Sequence, residues 1–190
     1  LLISSIEDDN PVIFIEHRWL YDAVGEVPEE NEALSLEGAN VLHKGDDITI
    51  AATSWMNVEA VKAAEILKRK QSVGVEVVDI RSISPFDETV VLESVRKTGQ
   101  CIVADNDWVH CGFSAEVATR IYESCFGLLK SPVERIGYAP THCPCTRPLE
   151  NVFYPNAIDI IRAIEKKLDL PETDLIGEDF YSYENKFKGP

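Results

Sequence analysis

Short apolar runs recur along this chain at crossover spacing, each followed by a stretch of helical periodicity. "ITIAA" (Ile48–Ala52) and "VEVVDI" (Val75–Ile80) are too short for helices and rich in β-branched residues, so both predict buried strands. "CIVA" (Cys101–Ala104) and "VERI" (Val133–Ile136) repeat the pattern further along. After the first strand, residues 54–70 place Val58, Val61, Ala64 and Leu67 on one helical face and space Glu65 and Arg69 for an i,i+4 pair. Asp87 is set to cap a helix that turns Val90, Val91, Ser94 and Val95 inward and closes at Gly99. Ser114 is set to cap another, with Val117, Ile121 and Cys125 on its face. Asn156 caps a last one, carrying Ala157, Ile160, Ile161, Ile164 and Leu168 inward. Connections of this length suit parallel strands, because a tight turn cannot return the chain to the same end of a sheet. The expected fold is α/β: a three-layer α/β/α domain around a mostly parallel sheet of roughly five strands.

The flanks do not share this rhythm. Asn10-Pro11 marks a turn, and "VIFI" (Val12–Ile15) predicts one more short strand. From Glu16 to Asn40 the chain shifts to Glu, Gly and Pro without a sustained period, which reads as a linker. The end, "PETDLIGEDFYSYENKFKGP", is acidic and aromatic, and is expected either loose or laid against a neighbour. The divisions expected are therefore 1–15, 16–40, 41–170 and 171–190. The chain lacks an initiator Met and looks like a piece of a longer protein. Its start has no basic segment leading into a long apolar run, so neither a signal peptide nor a membrane span is expected.

The formal charge is -15, so nucleic acid and anionic membrane would both repel the chain, and neither is expected as a partner. Five cysteines, an odd number without small-scaffold spacing, point to reduced thiols.

Candidate chemistry is thin. A parallel α/β sheet invites a nucleotide at its strand ends, but "ITIAA" runs into Thr53-Ser54-Trp55-Met56-Asn57, whose bulk opposes close approach of a pyrophosphate. His142, Cys143 and Cys145 leave zinc one ligand short, and His110 and Cys111 lie far off in sequence, so no metal is expected. Neither Cys111 nor Cys143 has a base placed on its own side of the chain, since adjacent residues of an extended segment point oppositely. Asp105-Asn106-Asp107 has divalent-ion chemistry, but a solvated turn is the commoner use of such a run. Asp79-Ile80-Arg81, at a strand end, leaves a site, an interface and plain structure open; an Asp–Arg pair there can satisfy itself and orient the following loop.

Several phrases in register carry a family resemblance. They are Asn10-Pro11 with Phe14 and Glu16-His17; Val27-Pro28; Asp79-Ile80-Arg81 with Ser84-Pro85 and Asp87; Ser94-Val95 to Thr98-Gly99; and Gly112-Phe113 with Ala115-Glu116. From Leu1 to about Leu170 the sequence resembles the beta subunit of thiamine-diphosphate-dependent 2-oxoacid dehydrogenases, the decarboxylating component of pyruvate and branched-chain complexes. The likeness is to its transketolase-C-like domain, at 41–170, preceded by the last strand of a pyrimidine-binding domain.

The resemblance implies a role in assembly. Asp79 and Arg81 would meet neighbouring chains of an α2β2 assembly, and no residue here would be catalytic, cofactor-binding or metal-binding. The cofactors of the parent enzyme, thiamine diphosphate and magnesium, would be held by the upstream domain and the alpha subunit. The partners implied are the alpha subunit, a second beta subunit and, in complex-forming relatives, an acyltransferase core. There an acid in a Leu-Asp-Ala-Pro-like phrase meets a basic subunit-binding domain; the matching phrase here is Leu129-Lys130-Ser131-Pro132. Where relatives have Gly-Gly-Phe-Gly-Ala-Glu, this chain has Cys111-Gly112-Phe113-Ser114-Ala115-Glu116, which suggests a looser turn. The implied location is the cytoplasm, or the mitochondrial matrix in a eukaryote. Two alternatives stand beside this one: a stand-alone α/β binding module, and the same domain of a transketolase-type enzyme.

Overall fold

The structure, a computed structural model, describes residues 1–25, 33–178 and 180. Among these residues, five strands form one sheet: β1 (Asn40–His43), β2 (Ile48–Ala52), β3 (Val75–Asp79), β4 (Cys101–Trp108) and β5 (Glu134–Tyr138), in the order β1-β3-β2-β4-β5. β2 pairs in parallel with both β3 and β4, and β5 is parallel to β4. Only β1 runs antiparallel, with Asn40 opposite Asp79. This is the mostly parallel α/β sheet that the alternation predicts.

Among the described residues, six α-helices accompany it: α1 (Leu2–Glu7), α2 (Trp55–Gln71), α3 (Thr89–Thr98), α4 (Phe113–Cys125), α5 (Arg147–Phe153) and α6 (Ala157–Leu168). A strand flanked on both sides needs apolar residues on both faces, and β2 is buried at every position. Ile48, Ile50 and Ala52 face the layer of α2 and α6. Ala51 faces that of α3 and α4, where Thr49 meets the hydroxyls of Ser94 at 2.7 Å and Thr98 at 2.8 Å.

Two helix ends follow from local chemistry. Asn156 Oδ1 accepts from the Ile158 amide and Asp159 Oδ2 from the Asn156 amide, both at 2.8 Å, a reciprocal box that fixes the start of α6. The N-cap of α3 is Glu88 rather than Asp87; Asp87, one residue earlier, accepts from the Thr89 amide through Oδ1 at 2.9 Å, and Gly99, at φ +70°, closes the helix.

Several expectations are corrected. Val12–Ile15 forms no strand: a strand exists only beside another, and none lies beside it among the described residues. The linker holds a 3-10 turn at Arg18–Asp22 and ends in β1, a strand of the sheet; its residues 26–32 lie outside the described ones. The buried face of α2 carries Met56, Ala60, Ala63, Ala64 and Leu67, while Val58 and Val61 are half-buried. Small residues there let α2 approach both the sheet and α6. Arg69 pairs with Glu178 rather than Glu65. Ser114 lies inside α4, whose N-cap is Gly112.

The turn before α4 is tight rather than loose. A Cβ on Gly112 would stand 2.0 Å from the Trp108 carbonyl oxygen, and Cys111 takes φ +58°. Gly45 is equally constrained: between β1 and β2 the chain crosses the start of β3 so closely that a Cβ would lie 2.4 Å from the Gly74 carbonyl carbon. Among the described residues, no helix is long and apolar enough to cross a membrane.

Candidate functional site

In an open parallel sheet, ligands gather beyond the carboxyl ends of the strands where the chain order reverses. Here that point is the mouth between β2 and β4, and the chain's own side chains fill it. Thr53 Oγ1 donates to Asp105 Oδ1 at 2.5 Å, and the Met56 amide to Asn106 Oδ1 at 3.2 Å. Asp107 Oδ1 accepts from the Trp108 amide at 2.7 Å. The three residues considered for a divalent ion thus each hold a local donor, and they lie within β4 rather than in a solvated turn.

Aromatic rings roof this mouth. Trp19, on the 3-10 turn, meets Trp55 edge-on at a centroid distance of 5.5 Å and Tyr154 at 5.2 Å. His17 lies 6.3 Å from Trp55, and Tyr154 continues the cluster to Tyr138 at 5.3 Å. The N-terminal segment is therefore anchored on the sheet by ring packing. Beyond the anchor its apolar side chains stand in solvent: Ile13 is 87% exposed and Ile15 80%.

Asp79 and Arg81 lie at the same end. The expected self-contained ion pair is not formed; Asp79 Oδ1 instead accepts from Asn57 Nδ2 at 2.6 Å, because the first turn of α2 reaches the end of β3. Burial pushes the Asp79 pKa up, while that hydrogen bond and the charge of Arg81 oppose the rise. Arg81 Nε is buried without a hydrogen-bond partner, as is Asn57 Oδ1.

Lys130 is elsewhere. Its Nζ donates to the Thr98 carbonyl at 2.8 Å and its amide to the Gly99 carbonyl at 2.9 Å, at the C-terminus of α3 and the opposite end of the sheet. A cation there meets the negative end of the helix dipole. So Asp79 and Arg81 stand at one end of the sheet without bonding to each other, and Lys130 stands at the other.

His142, Cys143 and Cys145 are exposed, and Cys143 Sγ lies 3.2 Å from the Tyr154 hydroxyl, the contact that most raises the Tyr154 pKa. Cys101 is enclosed, and burial pushes its thiol up to about 12. Among the described residues, no group of three His, Cys, Asp or Glu is placed to hold a metal ion.

Sequence reasoning missed the aromatic roof and Glu59. Buried Glu59 accepts from Trp55 Nε1 at 2.8 Å and from the Ala157 amide at 3.0 Å, tying α2 to the start of α6. The density of rings in "HRWLY", "SW" and "VFY" was the available signal. Glu59 gave none, since a Glu on a predicted helix is ordinarily solvated.

Comparison with known proteins places the chain. The profile of the family described as "Transketolase, C-terminal domain" matches residues 37–160. The acetoin:2,6-dichlorophenolindophenol oxidoreductase subunit beta of Cupriavidus necator is 36% identical over 88% of this chain and 49% of its own length. The pyruvate dehydrogenase E1 component subunit beta of Staphylococcus epidermidis is 38% identical over 89% of this chain and 52% of its own. The corresponding subunit of Rickettsia bellii is 36% identical over 87% and 51%. The chain thus spans about half the length of the curated relatives it matches. A solved split-gene transketolase, an inactive beta4 tetramer, superposes with TM-score 0.60 and 26% identity over 78% of this chain and 47% of that one.

Proposed function

Because the chain belongs to the transketolase C-terminal domain family, we propose that it is the assembly domain of the beta subunit of a thiamine-diphosphate-dependent 2-oxoacid dehydrogenase. In this reading the parent enzyme oxidatively decarboxylates a 2-oxoacid, and this domain serves subunit association rather than chemistry. The observation that carries it is the exposed apolar pair Ile13 and Ile15, on a segment anchored beside the sheet mouth through Trp19. Large apolar side chains held in solvent by such an anchor suit an interface.

Arg81 fits the same role. Its charge stands at the same end of the sheet, just past β3, where an acidic group of a neighbouring chain would meet it. The cofactor does not fit this domain: Asp79 and Asp105 are committed to Asn57 and Thr53, and Trp55 fills the turn where a diphosphate would lie. Thiamine diphosphate and magnesium belong, in this reading, to the upstream half and to an alpha subunit. The partners proposed are that alpha subunit and a second beta subunit, with an acyltransferase core in a larger complex; the location proposed is the cytoplasm, or the matrix of a mitochondrion.

Co-expression of the full-length subunit with an alpha subunit tests the reading. The expected product is a co-eluting α2β2 species that Arg81→Glu weakens without unfolding the domain. A full-length subunit that stays monomeric, whatever stands at position 81, overturns it.

A further inference from the structure

The C-terminal segment lies across its own fold. Beyond α6, closed by Asp169 at φ +53°, residues 171–178 turn back over the end of α2. Gln71 Nε2 donates to the Pro171 carbonyl at 2.8 Å and to the Thr173 hydroxyl. Glu165 Oε1 accepts from the Thr173 amide at 2.6 Å, and Arg162 donates to the Thr173 carbonyl at 3.2 Å. Lys70 Nζ donates to the Asp174 carbonyl at 2.6 Å. Arg69 and Lys70 then share the Glu178 carboxylate, at 2.5 and 3.0 Å. Leu175 packs against the cluster between α2, α6 and the sheet.

Helix side chains grip the segment largely by its main chain. Gln71, Glu165, Arg162 and Lys70 each hold a backbone amide or carbonyl of residues 171–174, which is how a groove recognises a guest by its main chain. Leu175 and Glu178 supply the pattern: an apolar side chain two positions, and a carboxylate five positions, beyond the residue whose amide meets Glu165. The run Lys68-Arg69-Lys70 attracts acidic segments on a chain whose charge of -15 repels them elsewhere. Arg69 is largely exposed, so salt weakens the outer part of this grip.

We propose that the end of α2 and the facing side of α6 form a docking groove for an acidic segment of another protein that ends in a turn, occupied in cis by residues 171–178, whose Glu178 amide donates back to the Leu175 carbonyl at 3.2 Å. The guest carries the Thr-x-Leu-x-x-Glu pattern that the chain's own segment shows. Displacement of that segment opens the groove.

The probe is a fluorescein-labelled peptide with the sequence of residues 171–178. In the full chain, Leu175→Ser with Glu178→Lys loosens the resident segment, and at low salt this variant is expected to bind the peptide at least tenfold more tightly than the unaltered chain. Adding Lys70→Glu abolishes the gain. In the unaltered chain, amide exchange at Thr173 accelerates when peptide is in excess. Equal affinities in folded proteins, or exchange at Thr173 unchanged by saturating peptide, overturn the proposal. An unaltered dimer that the peptide splits would assign the groove to a second copy's segment and overturn the choice of guest.

Discussion

Asn57 Nδ2 lies 2.6 Å from Asp79 Oδ1, so the first turn of α2 holds the end of β3 through a single hydrogen bond. That bond joins the helix following the central strand to the neighbouring strand. It also opposes, without overcoming, the burial that raises the Asp79 pKa.

A carboxyl whose folded pKa lies above its unfolded value binds more protons when folded. It therefore favours the native state at low pH and costs stability as pH rises through the folded pKa. Asp79→Asn removes that cost, so the variant gains stability relative to the unaltered chain between about pH 4 and pH 7. Urea midpoints at the two pH values check the sign. A relative loss on raising the pH would mean that Arg81 holds Asp79 ionised against its burial.

The aromatic anchor predicts a local effect. Trp19→Ala removes the ring packed against Trp55 and Tyr154 and frees the N-terminal segment, while the sheet keeps its own core. Trypsin should cut after Arg18 at least several-fold faster, with the main melting transition little changed. Cleavage at the original rate would show that other contacts hold the segment.

Thiol reactivity separates the cysteines. Cys111, Cys143 and Cys145 are exposed, whereas Cys101 and Cys125 are buried and burial raises the Cys101 thiol. A disulfide reagent at pH 8 should titrate three thiols rapidly and the other two only on unfolding. Rapid reaction of all five would mean that the layer of α3 and α4 opens on the same timescale.

Lys130 carries two expectations. Lys130→Asp loses the bond to Thr98 at the end of α3, costing about 1 kcal/mol. In an intact alpha–beta assembly of the full-length subunit, the same change should tighten binding of a basic subunit-binding domain by about tenfold, since an acid replaces a like charge. Lys130→Met separates the two effects, because it loses the bond without adding the acid. A titration that Lys130→Asp leaves unchanged rules out Lys130 as the obstacle.

The central strands and α6 were legible because their signals are local. Ile48–Ala52 is apolar on both faces, and Asn156 with Asp159 encodes a helix start by itself. β1 was not legible, for its four residues alternate between exposed and half-buried and only Val41 is strongly strand-forming. At the mouth, Asp79 and Arg81 were visible as a pair, but Asn57, which takes the place of the arginine, stands 22 positions away. Patterns within a few residues cannot report such a partner. The resident C-terminal segment was invisible for the same reason, with Arg69 and Glu178 separated by 109 positions.

The crossing at Gly45 has a consequence for the time course of folding. β1 and β2 are joined by a connection of four residues, yet native β1 pairs only with β3. A hairpin between β1 and β2 could close within microseconds of the two segments meeting, and it would occupy the edge of β2 that β3 must take. The native route therefore leaves β1 idle until β3 has paired, then lays Lys44–Asp47 across the finished strand, where only a glycine at position 45 clears Gly74. The sheet grows from its middle outward. In a pulse-labelling experiment the amides of β1 should gain protection after those of β2, β3 and β4, and Gly45→Ala should slow that last phase rather than the earlier ones.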